Sequence, residues 1–346
     1  MEYNEQIKIK NTVRLRQMLK DLPQFMSEFY KGISDRISYR TRTSYASDFK
    51  LFFDYICSIK NKKMHELSID DLGKISVEDI EDFMEYISLY EKNRDGKVIL
   101  LKNDEKGKAR KLSSLRTLFH YFYKKRKIKS NPAELVDLPK LHEKAIVRLE
   151  VDEVSKLLDE VEDGKNLTER QMKFHEKTKV RDLAIITLLL GTGMRISECI
   201  GININDINFN TNSIKIIRKG GNESIIYFGD EVLKALLNYL KQRENIQAID
   251  GHEHALFLSL HRKRITDRAL QNLVKKYAKI VTPLKKISPH KLRSTYGTNL
   301  YRETGDIYLV ADILGHKDIN TTKKHYASMD EDRKRLAAKV VKLRES

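Results

Sequence analysis

Two stretches near the C-terminus decide how this sequence is interpreted: Ser288-Pro-His-Lys-Leu-Arg-Ser-Thr-Tyr-Gly297 and Leu314-Gly-His-Lys-Asp-Ile-Asn-Thr-Thr-Lys-Lys-His-Tyr326. In the first stretch, His290 and Arg293 stand three residues apart just after a proline. That spacing predicts that both side chains lie on one face of the first turn of a helix. An imidazole beside a guanidinium suits a phosphate group.

The second stretch predicts a helix end followed by a new helix. Residues 306–314 carry apolar side chains at helical spacing, and Gly315 after them is a natural C-cap. His316 is therefore expected to project from the helix end, beside its partial negative charge. Residues 318–322 are rich in capping residues, which predicts a further helix that carries Tyr326. The phenol would then lie within reach of the same phosphate site.

A third motif, Gly191-Thr-Gly-Met-Arg-Ile-Ser-Glu-Cys199, lies upstream. Its glycines predict a sharp turn into a helix whose first turn carries Arg195, with Glu198 three residues on. Together, the His-x-x-Arg, Gly-His, Tyr and Thr-Gly-x-Arg-x-x-Glu patterns resemble the signature of the tyrosine recombinases, the phage integrase and Xer family. The resemblance spans nearly the whole chain, and it is strongest to the single-protein Xer (XerS-like) branch.

A hairpin turn is predicted at Arg218-Lys-Gly-Gly-Asn222, between two β-branched runs. Tyrosine recombinases carry a catalytic lysine in this hairpin, usually in a Gly-Lys-Gly context. Here Arg218 replaces the first glycine. The choice between Arg218 and Lys219 therefore stays open, although the register favours Lys219.

The resemblance implies how the phosphate would be attacked. Tyr326 would be the nucleophile and would form a covalent 3′-phosphotyrosyl bond with DNA. Arg195 and Arg293 would hold the non-bridging oxygens, because a guanidinium is always charged and can donate two hydrogen bonds at once. The covalent bond conserves the energy of the phosphodiester, so strand exchange through a Holliday junction requires no high-energy cofactor.

Three further residues would handle protons and the phosphate. Lys219 would protonate the leaving 5′ hydroxyl, His290 would assist general acid–base transfer, and His316 would hydrogen-bond the scissile phosphate. No Walker motif and no cluster with metal-ligand spacing accompanies them, so no cofactor and no metal are expected.

Composition limits the class of protein and its partner. The chain has 346 residues, of which 40% are hydrophobic and 33% charged, and this length favours two domains. The formal net charge of +17 favours a polyanionic partner. Cys57 and Cys199 have no metal-ligand spacing, so neither a disulfide framework nor a zinc site is indicated. The longest apolar run, residues 183–190, is too short to span a bilayer, and we expect a cytoplasmic protein.

The predicted fold is mainly α with a small antiparallel β-sheet, formed by β-branched runs at 204–209, 213–217 and 224–228. By resemblance, residues 1–140 form a helical core-binding (SAM-like) domain, 141–147 a linker, and 148–346 an α+β catalytic domain. The two domains would close on DNA as a C-shaped clamp. The polar segment 162–178 is expected to be a loop or a short exposed helix.

The N-terminal domain offers candidate DNA contacts. Residues 92–129 contain 14 Lys and Arg against 3 Asp and Glu. Within them, a helix over 110–123 alternates an apolar face with one that carries basic and hydroxyl groups, as expected of a helix that approaches phosphates. The candidates are Lys111, Ser114 and Arg116 on this helix, with Arg40 and Arg42 exposed at the start of an earlier helix.

Several biological roles are compatible with these features. The Xer resemblance favours resolution of chromosome dimers at a dif-like site by a homotetramer on two DNA sites, joined through a tail helix at 331–344, with an accessory directing protein as an optional partner. The alternative is an integrase or excisionase of a phage or conjugative element. A type IB topoisomerase or a catalytically silent DNA-binding regulator would be more remote interpretations.

Overall fold

The computed structural model describes residues 3–94, 96–140, 147–218 and 221–316. The chain divides into two compact units, Met1–Lys144 and Ala145–Ser346. The boundary falls inside the segment predicted as a linker. Within the described ranges, none of the helices is long and apolar enough to cross a membrane.

The N-terminal unit is a helical domain with one hairpin. Its elements are α1 (Tyr3–Leu19), α2 (Met26–Gly32), α3 (Tyr39–Lys60), α4 (Ile69–Gly73), α5 (Val77–Tyr86), β1 (Leu89–Arg94), β2 (Lys97–Lys102), α6 (Glu105–Lys124) and α7 (Pro132–Leu135). Ser38 caps α3 by accepting a hydrogen bond from the Thr41 amide, and Asn61 ends it in the left-handed conformation. The apolar face of α3 is buried in the domain core, where Phe52 packs edge-on against Phe119 of α6, with ring centroids 6.4 Å apart.

The hairpin formed by β1 and β2 was not predicted. Its strands pair antiparallel from Leu89↔Lys102 to Arg94↔Lys97, and Gly96 at the turn has φ of +78°. In the sequence, these residues stand out only as part of a basic segment. The Gly-containing turn between them is the signal that could have identified the hairpin.

The C-terminal unit combines helices with a small sheet. Its elements are α8 (Val151–Asp163), α9 (Glu169–Thr192), α10 (Ile196–Gly201), β3 (Ile207–Asn208), β4 (Ser213–Ile217), β5 (Glu223–Tyr227), α11 (Asp230–Glu244), α12 (Asp267–Val281), α13 (Pro289–Thr304) and α14 (Ile307–Leu314). The strands form an antiparallel sheet in the order β3-β4-β5. The predicted fold class, mainly α with a small antiparallel sheet, is confirmed.

The segment 162–178, expected to be a loop or a short exposed helix, contains a loop at 164–168 and then the mostly exposed first turns of a helix that is much longer than expected. Thr168 begins α9 in a capping box with Gln171, and the helix runs without interruption to Thr192. His175 is fully buried, with Nδ1 3.0 Å from the Tyr277 hydroxyl, which also donates to Asp182 at 3.3 Å. Most other residues of 165–177 are exposed, so the polar composition of the segment reflects the solvent-facing side of this long helix.

Candidate active site

Arg293 lies on the buried side of α13. Pro289 occupies the first turn of the helix, and Arg293 follows one turn later with only 5% of its surface exposed. Its guanidinium donates to the Gly193 carbonyl at 2.7 Å and to the Leu314 carbonyl. His290 lies one turn earlier on the same helix, and its side chain is exposed. The predicted helical first turn is therefore present.

Arg195 is placed by the turn between α9 and α10. Gly193 ends α9 with φ of +62°, and a Cβ there would overlap the Tyr296 ring, so a glycine is required. Arg195 is the N-cap of α10, and its amide donates to Glu198 at 2.7 Å. Its guanidinium donates to the buried Glu198 carboxylate at 2.8 Å and to the Gly315 carbonyl at 3.1 Å.

The C-terminal end of α14 brings these arginines together. Gly315 adopts the left-handed conformation, with φ of +59°, and its amide donates to the Asp312 carbonyl at 2.8 Å. The His316 amide donates to the Ala311 carbonyl at 2.9 Å, which completes a Schellman ending. The half-buried His316 therefore leaves the helix end directly beside the carbonyls that Arg195 and Arg293 bind.

A third guanidinium joins this helix end. Arg218 follows β4 and donates to the Ile313 carbonyl at 3.0 Å and to the Asp312 carbonyl at 3.4 Å. From sequence, Arg218 is a candidate only as an alternative to Lys219, and this contact was not predicted. No local pattern could have found it, because the partners lie in a distant part of the chain.

The cluster concentrates permanent positive charge at one point of the C-terminal unit. Four successive carbonyls, from Asp312 to Gly315, accept hydrogen bonds from the three arginines. Each guanidinium has five N–H donors, and Arg195 commits one to Glu198 and one to the helix end. An arrangement of this kind can orient guanidiniums toward a phosphate while anchoring them to the backbone.

Two of the six predicted catalytic residues, Lys219 and Tyr326, lie outside the described residues. The same holds for the predicted helix start at 318–322 and the tail helix at 331–344. The structure thus places Arg195, Arg293 and His316 at one helix end, and His290 one turn before Arg293. In the described ranges, no group of three His, Cys, Asp or Glu residues could hold a metal ion.

The predicted exposure of Arg42 in the N-terminal unit is wrong. Arg42 is 7% exposed, and its guanidinium lies 4.1 Å from the centre of the Tyr39 ring. Stacking on an aromatic face and packing of its stem remove it from the surface. Arg40, two residues before it, is exposed as predicted.

The predicted DNA-facing side of α6 is largely withdrawn from solvent, because Lys111 and Ser114 are buried and Arg116 is half-buried. Lys111 is 8% exposed and donates to the Asn103 side chain at 2.6 Å, while burial lowers the pKa of its ammonium group. Ser114 has no exposed surface and donates to the Lys111 carbonyl at 2.7 Å. Arg116 donates to the carbonyls of Ala133 at 3.0 Å and Val136 at 2.6 Å. Lys111 and Arg116 therefore bind residues outside α6, and Ser114 binds a carbonyl of its own helix.

A basic cleft at the other end of α6 was missed. It has a volume of about 480 Å³, and its lining includes the exposed cations Arg36, Lys124 and Lys125 together with His120. The run of basic residues at 124–127 was visible in the sequence. It was overlooked because the apolar periodicity of 110–123 is the stronger pattern in this region.

Comparison with known proteins identifies a family and several relatives. The Phage integrase family model matches residues 147–333. Tyrosine recombinase XerC of Caldanaerobacter subterraneus subsp. tengcongensis is 34% identical over 327 residues, which cover 91% of this chain and 86% of that protein. Tyrosine recombinase XerD of Oceanobacillus iheyensis is 30% identical over 314 residues, covering 89% and 93% of the two chains.

Solved structures share the fold at lower identity. The XerH site-specific recombinase bound to a palindromic difH substrate, in a post-cleavage complex, matches with a TM-score of 0.65 and 19% identity, covering 88% of this chain and 80% of that chain. The Tn1549 transposon integrase in complex with transposon right end DNA matches with a TM-score of 0.64 and 20% identity, covering 89% and 98%.

Proposed function

The chain belongs to the phage integrase family, the tyrosine recombinases, and from that premise we propose that it cuts and rejoins double-stranded DNA at a specific site. The observation that carries this proposal is the convergence of Arg195 and Arg293 on the end of α14, directly before His316. Two guanidiniums anchored to the same helix end can hold the two non-bridging oxygens of one phosphate.

The proposed reaction is a transesterification. The Tyr326 oxygen attacks the scissile phosphorus, the bond from phosphorus to the 5′ oxygen breaks, and the enzyme becomes linked to the 3′ phosphate. The phenol loses its proton with the assistance of His290, and Lys219 gives a proton to the departing 5′ oxygen. His316 donates a hydrogen bond to the phosphate. Attack by a 5′ hydroxyl from a partner strand reverses the step and exchanges the strands.

The proposed biological role is resolution of chromosome dimers at a dif-like site in the cytoplasm. Support comes from relatives named XerC and XerD that match about nine-tenths of the chain, and from the fold shared with a recombinase bound to difH. Exchange between two sites calls for a homotetramer, for which segment 331–344 is the candidate contact, and an accessory protein could direct it. Integration or excision of a mobile element is the second candidate, since the fold is shared with a transposon integrase.

The test of the reaction uses a nicked suicide duplex that carries a dif-like site, in a buffer with a chelator and without ATP. The purified protein should form a slow-migrating covalent adduct on a denaturing gel, and Tyr326→Phe should form none. An adduct only on the ends of a mobile element would favour the integrase. Absence of any adduct, with specific binding retained, would favour a silent DNA-binding regulator, and relaxation of supercoiled plasmid lacking a site would favour a topoisomerase.

The exposed basic cleft is the proposed DNA contact of the N-terminal unit. Arg40 lies exposed in the first turn of α3, and the exposed cations Arg36, Lys124 and Lys125 line the cleft itself. Cations that neutralise phosphates release counterions, so binding weakens as salt rises. This surface replaces the buried face of Lys111 and Ser114 as the candidate.

The double variant Lys124→Ala/Lys125→Ala tests that surface. The slope of log affinity against log salt concentration should fall by about one for each phosphate that the variant no longer binds. Lys50→Ala is the matched control, because Lys50 is an exposed lysine paired with Asp54 at 3.3 Å. An unchanged slope in the double variant would exclude these two lysines as phosphate ligands.

A further inference from the structure

Arg218 joins two elements that no short segment of chain connects. It follows β4, and its guanidinium contacts the last turn of α14 through the carbonyls of Asp312 and Ile313. The approach is close, because a Cβ built on Gly315 would overlap Nη1 of Arg218. The guanidinium therefore packs closely against Gly315, which has no side chain to block it.

The position of this contact matters because of what surrounds it. Arg293 binds the Leu314 carbonyl and Arg195 binds the Gly315 carbonyl, so Arg218 supplies the donors for the two preceding carbonyls. A helix C-terminus carries partial negative charge, and cations stabilise it there. Removal of Arg218 would take away the side-chain donors of the Asp312 and Ile313 carbonyls, while Arg195, Arg293 and the helix's own bonds would still hold the rest of this end.

We propose that Arg218 is a positioning residue that fixes the end of α14 and, through it, His316. The inference rests on the proposed function, in which His316 hydrogen-bonds the scissile phosphate. Arg218 would act through backbone carbonyls and would not itself touch the phosphate. A guanidinium keeps its proton under all physiological conditions, so Arg218 is also unsuited to donate one to a leaving group.

A cleavage assay on the suicide duplex separates this role from a direct one. Arg218→Ala should lower the single-turnover cleavage rate by about 10- to 100-fold, as small misplacements of catalytic groups do. His316→Ala should lower the rate too, and the double variant should be no slower than His316→Ala alone, because both changes affect one group. Arg218→Lys should recover part of the rate, since an ammonium can still bind one of the carbonyls.

Lys215→Ala is the matched control, because it removes an exposed cation from the same strand, β4. It should cleave at the wild-type rate. Wild-type cleavage by Arg218→Ala would overturn the proposal, and so would rate losses that multiply in the double variant, which would indicate direct contact of Arg218 with the phosphate. Failure of the wild-type protein itself to cleave would instead count against the proposed function.

A second measurement tests the proposal without any activity. The amides of Gly315 and His316 donate to carbonyls of α14, so they should be protected from hydrogen exchange. Arg218→Ala should raise their exchange rate several-fold, whereas Lys215→Ala should not. Unchanged exchange in a folded Arg218→Ala protein would refute a positioning role for Arg218, whatever the protein does to DNA.

Discussion

The end of α14 and the polar face of α6 both carry basic groups singled out from sequence, and the two regions use them differently. At α14, the guanidiniums of Arg195 and Arg293 bind main-chain carbonyls at the helix end, and His316 is the residue that directly follows this end. On α6, Lys111 and Arg116 make internal hydrogen bonds that hold α6 to its own domain. The presence of a basic residue on a helix therefore does not by itself indicate a phosphate contact. Its position relative to a helix end must also be known.

The largest effect that would sharpen this comparison is expected at Arg293. Arg293→Ala should lower the cleavage rate by about 10²- to 10³-fold, as the loss of one charge-stabilising donor does, with little change in affinity for the site. Arg302→Ala is the control, because Arg302 ends the same helix in an exposed ion pair with Glu150. The assay is single-turnover cleavage of the suicide duplex. A rate reduced by less than about threefold would remove Arg293 from the reaction.

A smaller effect, on stability, is expected at Arg116. Arg116→Ala leaves the carbonyls of Ala133 and Val136 without their donor, and the free energy of unfolding should fall by about 1–3 kcal/mol. Cleavage by the folded, DNA-bound protein should stay at the wild-type rate. Denaturant unfolding measures the free energy of unfolding, and cleavage at saturating protein concentration measures the rate of the DNA-bound protein. If Arg116→Ala is as stable as the wild-type protein but binds DNA poorly, Arg116 contacts DNA and the comparison with α14 fails.

The smallest effect is expected at Lys111. Lys111→Met keeps a side chain of similar length and removes a cation whose pKa is lowered by burial. The change also removes the hydrogen bond that Lys111 donates to Asn103. The free energy of unfolding of Lys111→Met should therefore change by about 1 kcal/mol or less. Its salt slope for DNA binding should equal that of the wild-type protein. A slope reduced by about one would show that Lys111 reaches a phosphate after all.

Prediction from the sequence succeeded where local chemistry determines the outcome. Pro289 begins α13 and Gly315 ends α14, because each favours a backbone conformation through its own side chain or lack of one. The arginine of the Thr-Gly-x-Arg motif was likewise placed correctly at the start of a helix. These features require no knowledge of distant residues.

Prediction failed where partners from elsewhere in the chain decide the outcome. His175 is buried in α9 because the Tyr277 hydroxyl, 102 residues away in sequence, lies 3.0 Å from its Nδ1 and also donates to Asp182. The contact between Arg218 and α14 has the same origin. Hydrogen-bond partners far apart in sequence leave no mark on local composition, and only the folded chain reveals them. Arg42 is an exception, because the Tyr39 ring that it stacks on lies only three residues before it on α3, a spacing that the sequence does contain.

The close approach of Arg218 to Gly315 also has an evolutionary consequence. A side chain at position 315 would collide with the guanidinium and would be strained by its left-handed backbone. A smaller residue at 218 would remove the collision but not the backbone strain, so a change at 315 requires a prior change at 218 and still destabilises the helix end. The order in which these mutations can arise is therefore constrained. Directed evolution of a relaxed-specificity variant should find changes at 315 only in lineages that have already lost Arg218.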